Sequence, residues 1–243
     1  MAAPSKAGAR DLPLGGRSSA QTSFGASSLH APSRAQGRSA LDREAAEGKD
    51  LARRHDEAAI WSLSTVAGRL VEISASPAGA PLTLAFRLVL DAQRRGAPSA
   101  WIGRKDAPFY PPDAADAGVD LAALAVIWAG DAVAAAKAAD LLVRSGAFGL
   151  VVLDLVHNAR LPLHASSRLA MLGKQHRAAI VCLTDKDAAR ASLGPLVSLR
   201  AHTASRVRGE GGRFRCEAAA LKDKHLGKVW SIAEVCRGPD GLH

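Results

Sequence analysis

The sequence predicts an α/β fold, in which a mostly parallel, twisted sheet carries helices on both faces and an antiparallel extension at its C-terminal end. Two observations predict it. Between about residues 70 and 184, short apolar segments alternate with segments of helical periodicity, the order typical of parallel strands joined by crossover helices. After about residue 195, short strand-like segments follow one another through glycine-rich turns, which is typical of antiparallel strands.

Each element has a local signature. The predicted parallel strands are short and rich in aliphatic residues, and they begin at Leu70 (LVEIS), Ser99 (SAWIG), Leu124 (LAVIW), Phe148 (FGLVVLD) and Ala178 (AAIVCLT). The predicted helices have apolar residues at helical spacing, and they begin at Leu82 (LTLAFRLVLDAQRRG), Asp131 (DAVAAAKAADLLVRSG) and Ser166 (SSRLAMLGKQHR). The C-terminal strand-like segments begin at Ser198 (SLRAHTASRV), Gly212 (GRFRCEAAALK) and Gly227 (GKVWSIAEVCR).

The composition divides the chain into three parts. Residues 1–38 are rich in Ala, Ser, Gly, Pro and Arg and contain few large apolar side chains, which predicts a disordered basic tail. Residues 39–62 alternate charges with alanine and predict a helix or linker, and residues 63–243 form the predicted core domain. The tail also shares the acid-poor composition of a mitochondrial transit peptide, but it lacks the amphipathic apolar stripe of one.

Charge and cysteine content narrow the function classes. The formal net charge of +9 favours an anionic partner such as nucleic acid, although a basic tail on a neutral domain is the alternative. Cys182, Cys216 and Cys236 have no metal-ligand spacing, and three cysteines suit a reducing cytosol better than a disulfide framework. His157, His164 and His176 have no ligand-like spacing either, so we expect no metal. No apolar run is long enough to cross a bilayer.

Several local strings together resemble the RecA family. GRLVEIS with the following small-residue loop resembles the opening of the RecA core, LVRSGAFGLVVLD resembles the block that ends in the metal-coordinating aspartate, and FRCEAAALKDKHLG resembles the hairpin that carries two lysines. The resemblance implies a RecA-like core with a P-loop NTPase fold. The altered loop and the short chain resemble the ImuA family, RecA-like accessory proteins of bacterial damage-induced mutagenesis.

The loop lacks the side chains that a phosphate loop uses. Such a loop needs glycines for close backbone approach, a lysine for the outer phosphates and a hydroxyl for Mg²⁺. Matched to the family, the two glycine positions hold Ala75 and Ala80, the lysine position holds Pro81 and the hydroxyl position holds Leu82. A register shifted by one residue places Gly79 on the second glycine, but Ala80 and Pro81 then fill the cation and hydroxyl positions.

The other catalytic positions are also altered. By the resemblance, Lys105 occupies the position of the catalytic glutamate, and the nucleotide-sensing glutamine falls on or beside Asp185. Asp154 remains as a residual Walker B aspartate, with a structural carboxylate as the alternative interpretation. We therefore expect no ATP hydrolysis and no cofactor, and an ATPase with an unorthodox site is the weakest of the functional hypotheses.

Basic residues mark two candidate contact surfaces. The resemblance matches the two DNA-contacting loops of RecA to the segments that begin at His157 (HNARLPLH) and Asp185 (DKDAARASLGPL). DNA-contact candidates there and beyond are Lys186, Arg190, Arg206, Arg208, Arg213 and Arg215, with a solvated basic face as the alternative. Lys222 and Lys224 match the lysines that reach the ATP of the neighbouring RecA subunit, with a simple exposed hairpin turn as the alternative.

These observations favour a non-catalytic adaptor. By resemblance, it would act in the SOS response and error-prone translesion synthesis, in the bacterial cytoplasm, and at the nucleoid when engaged. The implied partners are RecA, a Y-family-like polymerase homologue and an error-prone replicative-type polymerase subunit. The competing hypothesis is a recombination regulator that binds single-stranded DNA directly. The four tryptophans lie in predicted elements and are expected in the core, with Trp230 as an alternative partner anchor.

Overall fold

The structure is a computed structural model that describes residues 60–104, 109–155, 160–208, 213–227 and 229–237, and for residues 205–208, 234, 236 and 237 it describes the backbone alone. The predicted tail, most of the predicted 39–62 helix and Lys105 lie outside the described residues. The helices are α1 (Leu63–Val66), α2 (Pro81–Arg94), α3 (Pro111–Asp116), α4 (Ala132–Arg144) and α5 (Leu163–His176), and a 3₁₀ turn spans Leu121–Ala123.

Eight strands of the described chain form one sheet, in the spatial order β3-β2-β4-β5-β1-β6-β7-β8. The strands are β1 (Leu70–Ala75), β2 (Ser99–Gly103), β3 (Leu124–Trp128), β4 (Leu150–Asp154), β5 (Ala179–Thr184), β6 (Leu199–Arg208), β7 (Arg213–Asp223) and β8 (Ser231–Arg237). All pairings among β1 to β6 are parallel. The β6–β7 and β7–β8 pairings are antiparallel. The predicted fold class is confirmed.

The sheet separates two apolar clusters because successive side chains of a strand point to opposite faces. On one face, Val71 and Ile73 of β1 pack with Leu84 and Leu88 of α2. On the other face, Leu70 of β1 packs with residues of α4 and α5, among them Ala139, Val143, Leu169 and Leu172. The continuous apolar strands of the sequence are therefore buried on both faces.

Most element boundaries follow their sequence signals. Asp131 caps α4, since its carboxylate accepts a hydrogen bond from the Ala134 N–H at 2.7 Å. Gly146, just beyond that helix, has a φ of 72°, the left-handed conformation that glycine adopts without strain. Three elements begin more than one residue from their predicted start: α5 begins three residues before Ser166, β4 begins at Leu150 rather than Phe148, and β8 begins at Ser231 rather than Gly227.

Three of the four tryptophans lie in the core as predicted, and one does not. Trp61, Trp101 and Trp230 are buried, and the Trp61 and Trp230 rings pack 5.9 Å apart. Trp128 is 46 % exposed, because β3 is an edge strand. Position in a strand therefore did not suffice to place this side chain in the core.

A buried ion pair joins the antiparallel extension to the parallel sheet. Arg69, just before β1, donates to the Asp223 carboxylate at the end of β7 at 2.7 Å, and both side chains are at most 3 % exposed. The same guanidinium donates to the Ser198 carbonyl and hydroxyl, each at 3.0 Å. Burial alone would raise the pKa of Asp223, but hydrogen bonds from Arg69, Trp230 and two backbone N–H groups hold that pKa below its ordinary value.

Removing Arg69 is expected to destabilise the fold strongly. Arg69→Ala leaves a buried carboxylate without its counter-ion, which costs about 3–5 kcal/mol in the free energy of unfolding, measured by urea denaturation at neutral pH. The pair stabilises fully above the unfolded pKa of Asp223, about 4, and its contribution disappears as the pH falls through the lower folded pKa.

The matched control is Arg95→Ala, which removes an ion pair to Asp91 whose arginine side chain is 49 % exposed. This variant is expected to lose less than about 1 kcal/mol. Equal losses of unfolding free energy in the two variants would show that the Arg69–Asp223 pair stabilises the fold no more than an exposed ion pair does.

Candidate functional site

The loop at residues 76–80 lies between β1 and α2, at the carboxyl edge of the parallel strands. Open α/β sheets commonly bind their ligands at this edge. Pro81 is the first residue of α2, where its fixed torsion fits a helix start. The strand, turn and helix of a phosphate loop are therefore all present.

The backbone of this loop has few N–H groups to offer a phosphate. The Ser76 N–H donates to the Thr203 carbonyl at 3.1 Å, and the Gly79 N–H donates to the Ser76 carbonyl at 2.8 Å. Pro77 and Pro81 have no N–H. Four of the six positions from 76 to 81 thus have either no donor or a donor bound within the chain.

The loop also lies directly against β6. A Cβ atom placed on Gly79 would sit 2.3 Å from the Thr203 carbonyl oxygen and 2.5 Å from its hydroxyl. Thr203 is fully buried, and its hydroxyl has no hydrogen-bond partner among the residues that the structure describes. Glycine at position 79 therefore serves close contact between loop and strand.

A chain of polar side chains runs from the loop across one face of the sheet. The Ser76 hydroxyl lies 3.3 Å from Nε2 of His202, and Nδ1 of His202 lies 3.1 Å from the Ser74 hydroxyl. Arg200 Nε donates to the same Ser74 hydroxyl at 3.0 Å. Burial and the Arg200 cation lower the pKa of His202, with partly opposing effects of Asp187 and the Ser74 backbone.

Glu72 lies next along this face and is completely buried. Its carboxylate accepts hydrogen bonds from the Ser192 hydroxyl at 2.8 Å, the Leu193 N–H at 2.7 Å and the Thr184 hydroxyl at 3.0 Å. Lys186 Nζ lies 3.5 Å from the carboxylate. One buried acid thereby anchors several points of the segment that follows β5.

Arg200 anchors the same segment from the neighbouring strand. Its guanidinium donates to the Asp187 carbonyl at 2.8 Å and to the Arg190 carbonyl, and it lies 3.9 Å from Glu72. Arg200 is 4 % exposed and is therefore not available to a ligand. The segment that resembles a DNA-contacting loop of RecA is fixed to the sheet by these bonds.

The DNA-contact candidates lie in two places: Arg206, Arg208, Arg213 and Arg215 lie at the paired ends of β6 and β7, and Lys186 and Arg190 lie in the segment after β5. Arg190, Arg213 and Arg215 are exposed, and Arg215 pairs with Glu217 at 3.0 Å. Lys186 is half-buried beside Glu72. The side chains of Arg206 and Arg208, and residue His157 at the start of the other loop, lie outside the described residues.

Asp154 ends β4 and is 2 % exposed. Leu183 of β5 separates it from Ile73 of β1, so it lies two strands away from the strand that leads into the loop. Among the described residues, no group of three or more His, Cys, Asp or Glu side chains is arranged to hold a metal ion. Cys182 and Cys216 are buried, and burial with the nearby Glu72 raises the pKa of Cys182.

Lys222 and Lys224 lie at the opposite end of the sheet from the loop. β7 runs antiparallel to β6 and ends opposite Leu199, where β6 begins. Lys224 donates its ammonium to the Pro195 carbonyl at 2.7 Å. Lys222 is half-buried, no acceptor among the described residues lies within hydrogen-bond reach of its ammonium, and burial together with Lys224 lowers its pKa.

Comparison with known proteins identifies the family. The RecA N-terminal domain model matches residues 57–178, which is half of the chain. This chain belongs to the RecA N-terminal domain family. The match covers β1 to α5 with the loop, and the described elements over that range have the parallel α/β order that the resemblance implied.

Individual RecA proteins are similar over a shorter stretch. Protein RecA of Bifidobacterium breve is 37 % identical over 89 residues, which is 37 % of this chain and 22 % of that protein. Protein RecA of Clavibacter michiganensis is 39 % identical, and that of Kineococcus radiotolerans is 38 % identical, over stretches of the same length. The chain thus spans about a quarter of the length of the curated relatives it matches.

None of the helices in the described part of the chain is long and apolar enough to span a membrane.

Sequence reasoning missed the polar network on the sheet face. Its members alternate with apolar residues on two neighbouring strands: Glu72 and Ser74 in LVEISA, and Arg200 and His202 in LRAHT. Polar residues at every second position of otherwise apolar strands were the available signal. Because strand pairing was unknown, the sequence could not predict that these side chains meet.

Gly79→Ala is expected to destabilise the protein by about 1–3 kcal/mol, because the new methyl group would overlap the backbone of β6. The free energy of unfolding would be measured by chemical denaturation. Gly130→Ala is the control, since a Cβ there meets nothing within 4 Å, and it should be neutral or slightly stabilising. A neutral Gly79→Ala would contradict the close contact between loop and strand.

Proposed function

We propose that this protein is a non-catalytic RecA-like accessory protein of the ImuA type. In this proposal it acts in the SOS response and error-prone translesion synthesis, where it binds RecA, a Y-family-like polymerase homologue or an error-prone replicative-type polymerase subunit. It modulates RecA filaments and does not hydrolyse ATP.

The loop carries this proposal. Pro81 stands where the family has its lysine, Leu82 stands where it has its hydroxyl, and two of the loop's N–H groups are bound within the chain. Electrostatic stabilisation of a transferring phosphoryl group requires cations and free donors at that place. Residues 75–82 contain no cationic side chain and few free donors, which supports a fold that keeps the shape of the site without its chemistry.

Lys222 supports a contact with the nucleotide of a neighbouring RecA subunit. A half-buried ammonium without an acceptor binds an anion readily, because the anion would satisfy its hydrogen bonds and favour its charged form. The proposed partner is the ATP of an adjacent RecA subunit. The protein would then dock on one end of a RecA filament and cap it, because its own loop cannot supply the next ATP.

Direct binding of single-stranded DNA is the second candidate. The exposed side chains of Arg190, Arg213 and Arg215 and the net charge of +9 favour it. Contacts to phosphates would be independent of sequence and sensitive to salt. Tight, salt-dependent binding of an oligonucleotide without RecA or polymerase would favour this alternative, whereas polymerase binding in salt that removes DNA would favour the adaptor.

Charge reversal at both lysines is expected to weaken RecA binding at least tenfold. Lys222→Glu/Lys224→Glu places two carboxylates where the proposal has a phosphate contact. Binding would be measured to RecA assembled on single-stranded DNA with a non-hydrolysable ATP analogue, and wild-type protein should also inhibit strand exchange at a ratio well below one per RecA.

The control is Lys137→Glu/Lys174→Glu, which makes the same change in net charge on exposed positions of α4 and α5. It should bind RecA as the wild type does. Equal affinities for the wild type and the Lys222/Lys224 variant would refute the contact in trans.

A further inference from the structure

The end of β7 and the segment that follows it expose large aliphatic side chains close in sequence to two lysines. Leu221 is 40 %, Leu226 48 % and Val229 76 % exposed. Lys222, Lys224 and His225 lie among them in the sequence. We call the six residues Leu221, Lys222, Lys224, His225, Leu226 and Val229 the hairpin tip.

Hydrogen bonds to Asp223 and Ser198 fix the backbone of the hairpin tip. The Asp223 carboxylate accepts hydrogen bonds from the His225 N–H at 3.0 Å and the Leu226 N–H at 3.2 Å, and Trp230 donates to it from the other side of the turn at 3.2 Å. The Lys224 N–H donates to the Ser198 carbonyl at 2.9 Å. The tip is therefore preorganised, so little conformational entropy remains to be lost on binding.

Among the described residues, no carboxylate forms an ion pair with Lys222 or Lys224. Asp223 is bound to Arg69 beneath the turn. Glu72 raises the pKa of Lys222, but by less than burial or Lys224 lowers it. The Glu72 carboxylate already accepts hydrogen bonds from Thr184, Ser192 and Leu193. The tip therefore combines an apolar surface with excess cations.

This combination fits a protein better than a nucleic acid. A phosphate backbone would satisfy the lysines but leave three aliphatic side chains without apolar contact. A protein pocket that is apolar at its centre and acidic at its rim would match both, since apolar centres and charged rims are the usual anatomy of interfaces.

We infer that the hairpin tip is a docking surface for a protein that presents an aliphatic pocket rimmed by carboxylates. The inference deepens the proposed function, on which it rests for the identity of the partner: Lys222 keeps the phosphate contact proposed above, and Lys224, Leu226 and Val229 contact the partner protein around it. A few buried aliphatic anchors carry most of the affinity in such an interface.

The first test needs no natural partner. The full chain, labelled for amide NMR, is titrated with a synthetic amphipathic helix of leucine and glutamate, with the same peptide carrying lysine for glutamate, and with oligothymidylate. The acidic peptide should give saturable shifts confined to residues 221–229, and the basic peptide should give none. No saturable shift with the acidic peptide, or equal shifts at these amides with oligothymidylate, would overturn the inference.

The second test uses variants. Leu226→Ser/Val229→Ser should weaken binding of the acidic peptide at least tenfold. If RecA is the partner, the same variant should weaken binding to RecA filaments by the same factor. Leu141→Ser/Met171→Ser removes two other exposed aliphatic side chains, 60 % and 55 % exposed, and should change neither. Unchanged unfolding midpoints confirm that the variants fold.

The outcomes separate the two proposals. If the peptide binds at the tip but neither RecA nor a polymerase binds, the proposed function is refuted and the docking surface is supported. RecA binding that depends on the lysines but not on Leu226 and Val229 would keep the proposed function and overturn the docking surface, because a phosphate contact alone would then explain the lysines.

Discussion

The buried pair of Arg69 and Asp223 is the interaction on which the candidate surface depends. It connects the start of β1, the residue before β6 and the end of β7 in one hydrogen-bonded group. Because Asp223 also binds the two N–H groups of the following turn, the ion pair fixes the position of the turn relative to the parallel sheet. A surface turn acquires a defined shape only when such bonds offset the entropy of ordering it.

The two edges of the sheet have different properties. At the carboxyl edge, the 76–80 loop lies on β6, and its Ser76 and Gly79 N–H groups are bound within the chain. At the opposite edge, cations and aliphatic side chains are exposed on a fixed turn. Between them, Glu72 and Arg200 hold the 185–193 segment against the sheet through bonds from within the chain. This distribution favours a role in docking over a role in catalysis.

The sequence predicted the fold far better than the site. Apolar runs such as FGLVVLD and helix signals such as Asp131 are local, so the strands and helices were predictable, as was the antiparallel extension. The contacts Glu72–Leu193, Arg200–Ser74 and Asp223–Arg69 join residues more than 120 positions apart, and they depend on how the chain folds back on itself. The exposure of Trp128 depended in the same way on β3 being an edge strand.

Whether the 76–80 loop has lost nucleotide binding is tested most directly by thermal unfolding of the full chain with and without millimolar Mg-ATP. A ligand present at 100 times its Kd stabilises the folded state by about 2.7 kcal/mol, which raises the Tm of a domain of roughly 200 residues by several degrees. No change in Tm is expected, because the loop has no cationic side chain and few free donors for the phosphates of ATP. A saturable rise in Tm with Mg-ATP would contradict this expectation.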